Sequence, residues 1–133
     1  MSFTTRSVPL DSVTEIYLEA IQGDDEIYYL TASIFNPTTE AYDVLDLDDV
    51  SRIDFSIKNP ISGTIEYTTN SATGNITVTD ANAGKFTIEI PNADSSDLPA
   101  GELNYDVQIT MVTGSKKRTI VRGPIRVVED ITT

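Results

Sequence analysis

Apolar and polar residues alternate most clearly toward the carboxyl end of the chain. From Val107 to Met111 every second residue is apolar, which is the period of a strand that buries one face. A turn at residues 112–115 follows, residues 119–121 run back, and Gly123-Pro124 interrupts the pattern before residues 125–127. Because proline has no backbone N–H for a central ladder, the pattern predicts three strands separated by a turn and a break.

Similar segments recur through the middle of the chain. Turns and loops connect these segments. In the turn at 81–84, Gly84 supplies a positive φ, and a crossover loop at 38–51 pins apolar side chains beneath it. Seven to nine short strands with regular turns are typical of an all-β fold, a single antiparallel, immunoglobulin-like β-sandwich. The further strands are predicted at residues 26–35, 52–58, 63–69, 75–80 and 85–90. The core is predicted to include Ile34, Phe55, Ile57, Ile88, Ile90, Tyr105, Val107, Ile109 and Val127.

The first segment permits two interpretations. Residues 13–21 place apolar side chains at helical spacing, and Ser12 with Glu15 matches a helix capping box. The same residues also alternate as in a strand, and a strand agrees better with the rest of the chain. We therefore expect an N-terminal arm at residues 1–11 and a sandwich domain at residues 12–133.

Composition excludes several kinds of function. Cysteine and histidine are absent, so disulfides are excluded, and only carboxylate, lysine or tyrosine chemistry remains for an enzyme. The pattern buries no lysine beside a carboxylate, and we expect neither catalysis nor a cofactor; the four lysines are Lys58, Lys85, Lys116 and Lys117. A net charge of −12, from 9 basic and 21 acidic residues, argues against binding to nucleic acid or an anionic membrane. No apolar run approaches the roughly 20 residues of a membrane span, and no secretory signal opens the chain, so synthesis in a cytoplasm is expected.

Clustered aspartates raise the question of a metal site. Neither cluster has the spacing of an EF-hand calcium loop, because the first lacks a glycine at position six and the second has Pro91 at position twelve. We expect solvated loop charge, a hairpin turn and no metal. The residues concerned are Asp43, Asp46, Asp48, Asp49 and Asp54 in the first cluster and Asp80, Asn82 and Gly84 in the second.

Basic residues concentrate in one short stretch of this acidic chain. Their charge either protects an exposed edge strand from aggregation or forms a contact with an acidic partner. That partner is the acidic loop at residues 46–49 of a neighbouring copy or another acidic protein, with the arm Met1–Asp11 as a second contact. The stretch contains Lys116, Lys117, Arg118, Arg122 and Arg126, and the first four are the candidate contact residues.

The order of motifs resembles a known family. Their succession is similar to that in small β-sandwich domains of tailed-bacteriophage structural proteins. The motifs are a GDD turn before a strand, an Asp-Leu-containing crossover before RIDFSIK, and then GKFTIEI, LPAGELNYDVQI and TIVRGPIRVVEDIT. The similarity is to the N-terminal domain of phage baseplate upper proteins and related tail-fibre-associated components. The matching positions are Leu98, Gly101, Tyr105, Asp106, Val107, Gly123, Val127, Asp130 and Thr132. These are fold motifs: Gly101 suits a tight corner, Tyr105 a tyrosine corner, and Gly123 with Pro124 a bulge.

The resemblance implies a virion structural protein of the tail, baseplate or fibre-attachment region. Such a protein docks on other virion proteins and on copies of itself. A capsid decoration or neck protein that binds the head lattice is the alternative. A carbohydrate-binding module would need an exposed aromatic platform, whereas tryptophan is absent and the tyrosines are scattered; they include Tyr17, Tyr28, Tyr29, Tyr42 and Tyr67.

Overall fold

Two packed β-sheets make up the molecule. A computed structural model describes residues 6–10 and 14–129 of the 133-residue chain. A four-residue helix, α1 (Asn92–Ser95), and 3₁₀ turns at Leu47–Asp49 and Thr113–Ser115 lie between strands. The strands are β1 (Arg6–Pro9), β2 (Thr14–Glu15), β3 (Leu18–Ile21), β4 (Glu26–Asn36), β5 (Ala41–Val44), β6 (Val50–Lys58), β7 (Ile65–Asn70), β8 (Ile76–Asp80), β9 (Lys85–Ile90), β10 (Gly101–Met111) and β11 (Lys117–Val128).

The strand order confirms the all-β sandwich. The first sheet runs β1-β4-β9-β8, with β5 also paired to β4, and the second runs β2-β11-β10-β6-β7, with β3 also paired to β11. Most pairs are antiparallel, but β1 lies parallel to β4, and β2 and β3 lie parallel to β11. The described strands outnumber the predicted seven to nine because β1 and β5 are additional and the first segment is split into β2 and β3.

The first segment is extended, as the preferred interpretation predicted. Ala20 faces the core at 1% exposure and is paired with Val127, whereas Glu19 beside it is exposed. The predicted arm is in part wrong, because β1 joins the first sheet and the Leu10 N–H donates to the Ser33 carbonyl at 2.6 Å. Backbone hydrogen bonds hold this segment, and Leu10 is partly buried against the core. Residues 1–5, 11–13 and 130–133, which include the predicted cap residue Ser12 and the motif positions Asp130 and Thr132, fall outside the described residues.

The predicted break at Gly123-Pro124 is wrong, because β11 continues through it. The carbonyls of Arg122 and Val128 accept hydrogen bonds from the segment that contains β2 and β3. By the two-residue period of a strand, the nitrogen of Pro124 also faces that side, at the gap between β2 and β3. Proline therefore removes no hydrogen bond from the ladder with β10.

The crossover loop predicted at residues 38–51 contains a strand and a turn. β5 pairs with the far end of β4, and the 3₁₀ turn is capped by Asp46, whose carboxylate accepts from the Asp48 N–H at 2.9 Å. Leu45 and Leu47 are buried at 4% exposure, so the prediction that the segment pins apolar side chains is confirmed.

Eight of the nine predicted core residues are buried. Ile34 is the exception at 38% exposure, because β4 there extends past the other strands of its sheet and pairs with β5 alone. The buried eight are Phe55, Ile57, Ile88, Ile90, Tyr105, Val107, Ile109 and Val127. Phe55 lies at their centre, with its ring centroid 5.8 Å from that of Tyr105.

Candidate docking surfaces

A row of polar side chains crosses the outer face of the second sheet. Asp106 on β10 is in register with Arg122 on β11 and with Ser56 on β6, and Arg122 is in register with Glu15 on β2. These positions alternate with core residues such as Val107, so their side chains face away from the sandwich. The sequence places carboxylates and a cation here on adjacent strands.

This row forms part of an open groove of about 600 Å³. Burial raises the pKa of the Asp106 carboxyl above its ordinary value, and the neighbouring Lys58 ammonium partly opposes that shift. The groove holds two cations and two carboxylates, so its chemistry suits a polar partner of mixed charge. Its lining residues are Glu15, Ser56, Lys58, Asn104, Tyr105, Asp106, Thr119, Arg122, Gly123 and Pro124.

One wall of the groove depends on a close backbone approach. Ile16 crosses over Gly123, where a Cβ atom would lie 2.6 Å from the Ile16 carbonyl oxygen. The Tyr105 hydroxyl donates a hydrogen bond to that same oxygen. The predicted tyrosine corner, in which Tyr105 bonds back across the turn before its own strand, is therefore wrong. The hydroxyl instead ties β10 to a segment 89 residues upstream.

The predicted basic cluster divides between two places. Arg122 and Arg126 lie on the outer face of the second sheet, and Arg122 lines the groove. Lys116 is exposed in the turn between β10 and β11, and Lys117 and Arg118 are exposed at the start of β11 beside that turn. The sequence therefore predicted one basic surface where the structure has two.

Edge protection applies to only some of these cations, because much of β11 is flanked on both sides. β10 flanks one side, while β2 and β3 flank residues 121–122 and 125–128 on the other. Residues 117–120 and 123–124 have no second strand beside them among the strands that the structure describes. Edge protection therefore remains applicable to Lys117 and Arg118, and it does not account for Lys116, Arg122 and Arg126.

The acidic loop lies beside the basic turn of the same chain. The Val112 N–H donates to the Asp49 carbonyl at 2.9 Å, which joins the 3₁₀ turn Leu47–Asp49 to the start of the basic turn. Across residues 6–10 and 14–129 the one ion pair is Arg52 with Asp54, at 2.8 Å between Nε and Oδ1. The two turns thus carry opposite charges side by side without pairing.

Several aspartates of the two acidic clusters have local partners. Asp43 accepts from the Asn36 side-chain amide at 2.8 Å, and Asp80 accepts from the Ala83 N–H at 3.3 Å, within the hairpin turn. No group of three or more acidic side chains in the described residues converges on a common point. The hairpin also has the predicted positive φ at Gly84, +68°. Gly101 begins β10 at φ +124°, in accord with the predicted corner.

The sequence did not single out one aromatic pair. Phe35 on β4 is in register with Tyr42 on β5, and their ring centroids lie 5.3 Å apart in an edge-to-face arrangement. They are 37% and 55% exposed, and Ile34 and Val44 beside them are 38% and 52% exposed. The signal was present as aromatic residues on both sides of the Asn36-Pro37 turn, but residues 38–51 were interpreted as a loop.

Comparisons with known proteins show a likeness of fold. No protein-family model matches the chain, and no curated protein matches its sequence. Within residues 6–10 and 14–129, no helix has the length and apolar character to cross a membrane. A nucleoside hydrolase-related hypothetical protein from Saccharophagus degradans, associated with carbohydrate metabolism, aligns at 17% identity over 84% of this chain and 22% of that chain, and its TM-score of 0.26 carries no argument.

A solved structure described as the N-terminal domain of phage TP901-1 ORF48 is similar over nearly its whole length. The alignment covers 93% of this chain and 98% of that chain, with a TM-score of 0.52 at 8% sequence identity. The resemblance to the small β-sandwich domains of tailed-phage structural proteins is thereby confirmed at the level of the fold.

Proposed function

We propose that this chain is a non-enzymatic structural protein of a tailed-bacteriophage particle. It docks on other virion proteins of the tail, baseplate or fibre-attachment region and needs no cofactor. The observation that carries the proposal is the fold shared with the N-terminal domain of phage TP901-1 ORF48 across nearly the whole of both chains. Fold alone does not imply function, so the surface chemistry must support the same role.

The exposed charges support a role in docking. All four lysines of the chain are exposed, and none forms an ion pair within the described residues. Unpaired exposed charges steer encounter and set register with a partner of opposite charge. The groove gives no support to sugar recognition, because Tyr105, the one aromatic residue that lines it, is 4% exposed and bonded to Ile16.

Charge reversal at the basic turn tests the docking role. We expect Lys116→Glu with Lys117→Glu to lower the occupancy of the chain in purified particles while the isolated protein melts at an unchanged temperature. The side chains are exposed, so the fold loses no buried contact. Lys85→Glu with Arg126→Glu is the matched control, because it makes the same change in net charge at other exposed positions.

The outcomes separate the parts of the proposal. Normal occupancy of Lys116→Glu with Lys117→Glu would refute a role for the basic turn. Loss of occupancy with Arg122→Glu instead would assign docking to the groove. Absence of the wild-type chain from purified particles, or its location on the capsid surface or neck, would refute the tail-associated role.

A further inference from the structure

One end of the sandwich exposes apolar side chains on the last part of β4 and on β5 that no further strand covers. Beyond Ser33, β4 pairs with β5 alone, so residues 34–36 and 41–43 form a two-stranded ribbon. Apolar side chains occupy both faces of the ribbon, since Ile34 is opposite in direction to Phe35. A ribbon of two strands cannot bury both of its faces in its own sheet. Clustered exposed aromatic and aliphatic residues are typical of contact sites.

The ribbon, the acidic turn at 46–49 and the basic turn at 112–118 form one surface, which we call the loop end. β5 leads through Leu45 directly into the acidic turn, and the Val112–Asp49 hydrogen bond joins that turn to the basic one. Val112 is itself 58% exposed between the two charged turns. The loop end therefore combines apolar anchors with unpaired charges of both signs.

The opposite end of the sandwich differs in charge. It consists of the turns at 22–25 and 59–64 and the α1 segment at 91–100. Hydrogen bonds such as Asn92 N–H to the Asp25 carboxylate at 2.8 Å join the first and last of these. These segments contain four aspartates and no basic residue. With a net charge of −12, two copies repel each other in general, whereas the loop end offers a cluster of cations directly beside a cluster of carboxylates.

We propose that the loop end is a self-complementary docking surface for a second copy of this chain, related to the first by a two-fold axis. A two-fold rotation places the basic turn of each copy over the acidic turn of the other, so both opposite-charge contacts form at once. A uniformly acidic partner would attract one turn and repel the other. The inference rests on the proposed structural role, and it identifies the partner of the basic turn as the acidic turn of a second copy.

Phe35 and Tyr42 are the anchors of this contact, and the charged turns set its register. The end of a small sandwich offers less area than a standard interface, so the association is weak. Sedimentation equilibrium of the isolated protein over a range of concentrations measures it. We expect a monomer–dimer equilibrium at an ionic strength of about 0.15 M, where a Debye length of about 8 Å screens the general repulsion between two acidic copies more than the close contacts between the turns.

A pair of charge variants tests the two-fold arrangement. Lys116→Glu with Lys117→Glu makes both turns acidic, and Asp48→Lys with Asp49→Lys makes both turns basic. Each variant alone should be monomeric, and an equimolar mixture should form a heterodimer, because every contact across the axis is then between opposite charges. The absence of a heterodimer, or growth of the wild type beyond a dimer, would overturn the two-fold arrangement.

A second pair of variants tests the ribbon. Tyr42→Ser should raise the dimer dissociation constant about tenfold or more, the loss expected when an anchor of about 1.4 kcal/mol is removed. Ile61→Ser is the control, because Ile61 is 96% exposed at the opposite end. Equal effects of the two variants would overturn the assignment. A wild-type chain that is monomeric in solution at about 1 mM, well above the dissociation constants of weak specific complexes, yet present in particles, would refute self-association and leave the structural role intact.

Discussion

The contact of Ile16 with Gly123 and Tyr105 supports a specific prediction about stability. Gly123→Ala would place a Cβ 2.6 Å from the Ile16 carbonyl oxygen and 3.3 Å from its carbonyl carbon. Both atoms belong to the backbone, so no side-chain rotation relieves the overlap and the segment between β2 and β3 must move. The movement breaks the hydrogen bond from Tyr105 and the one from the Ile16 N–H to the Arg122 carbonyl, which measures 3.3 Å.

The expected cost follows from these contacts. Overpacking against backbone costs about 1 to 3 kcal/mol, and each of the two broken hydrogen bonds adds about 1 kcal/mol, so Gly123→Ala should cost about 3 to 5 kcal/mol. Tyr105→Phe removes the hydroxyl alone and should cost about 1 to 2 kcal/mol. Because Gly123→Ala already breaks the Tyr105 bond, the double variant should cost about 1 kcal/mol less than the sum of the two.

Urea unfolding of the four proteins at pH 7 measures this coupling. Independent sites add within about 0.5 kcal/mol, so the expected deviation is resolvable. Gly114→Ala is the control, since its φ of +73° makes alanine strained there while the nearest neighbour, a Lys116 side-chain carbon, is 3.8 Å away. Its cost should add to that of Tyr105→Phe. Additive costs for Gly123→Ala and Tyr105→Phe would refute the account of this contact.

Three further predictions concern the core, pH and metal ions. Phe55→Ala should lower the free energy of unfolding by about 3 to 5 kcal/mol, whereas Ile34→Ala, at 38% exposure, should cost much less in the same urea titration; similar costs would contradict the burial assigned to them. Burial raises the pKa of Glu26, although the hydrogen bond from the Ile21 N–H opposes that rise. The folded state therefore binds a proton at Glu26 more tightly than the unfolded state does. Stability should fall as pH rises from the ordinary value of 4.5 through the raised pKa, and Glu26→Gln should gain on the wild type over that range; a pH-independent difference in urea midpoint would contradict this. EDTA should leave the melting temperature unchanged, and a fall of several degrees would indicate a metal ion bound within residues 43–54.

Alternation of apolar and polar residues predicted most of the sandwich, because the central strands each bury one face. β6, β9 and β10 alternate regularly, and their core residues were identified. The short strands β1 and β5 lack that pattern, since they run along β4 and are held mainly by backbone hydrogen bonds. Ile34 was misassigned because its exposure depends on where neighbouring strands end, which local alternation does not report.

The docking surfaces were predictable only in part. The basic stretch was evident from composition, but its division depends on β11 turning from the loop end into the sheet after Arg118. The groove requires register between strands far apart in the chain, as for Glu15 and Arg122. A local pattern also missed the partner of Tyr105, because Ile16 lies 89 residues away.

A reconstruction of the purified phage particle by electron cryomicroscopy tests the central claim most directly. The account predicts density for this two-sheet sandwich in the tail, baseplate or fibre-attachment region, with the loop end or the groove in contact with a neighbouring protein. Complete particles that contain no copy of the chain would contradict the proposed structural role.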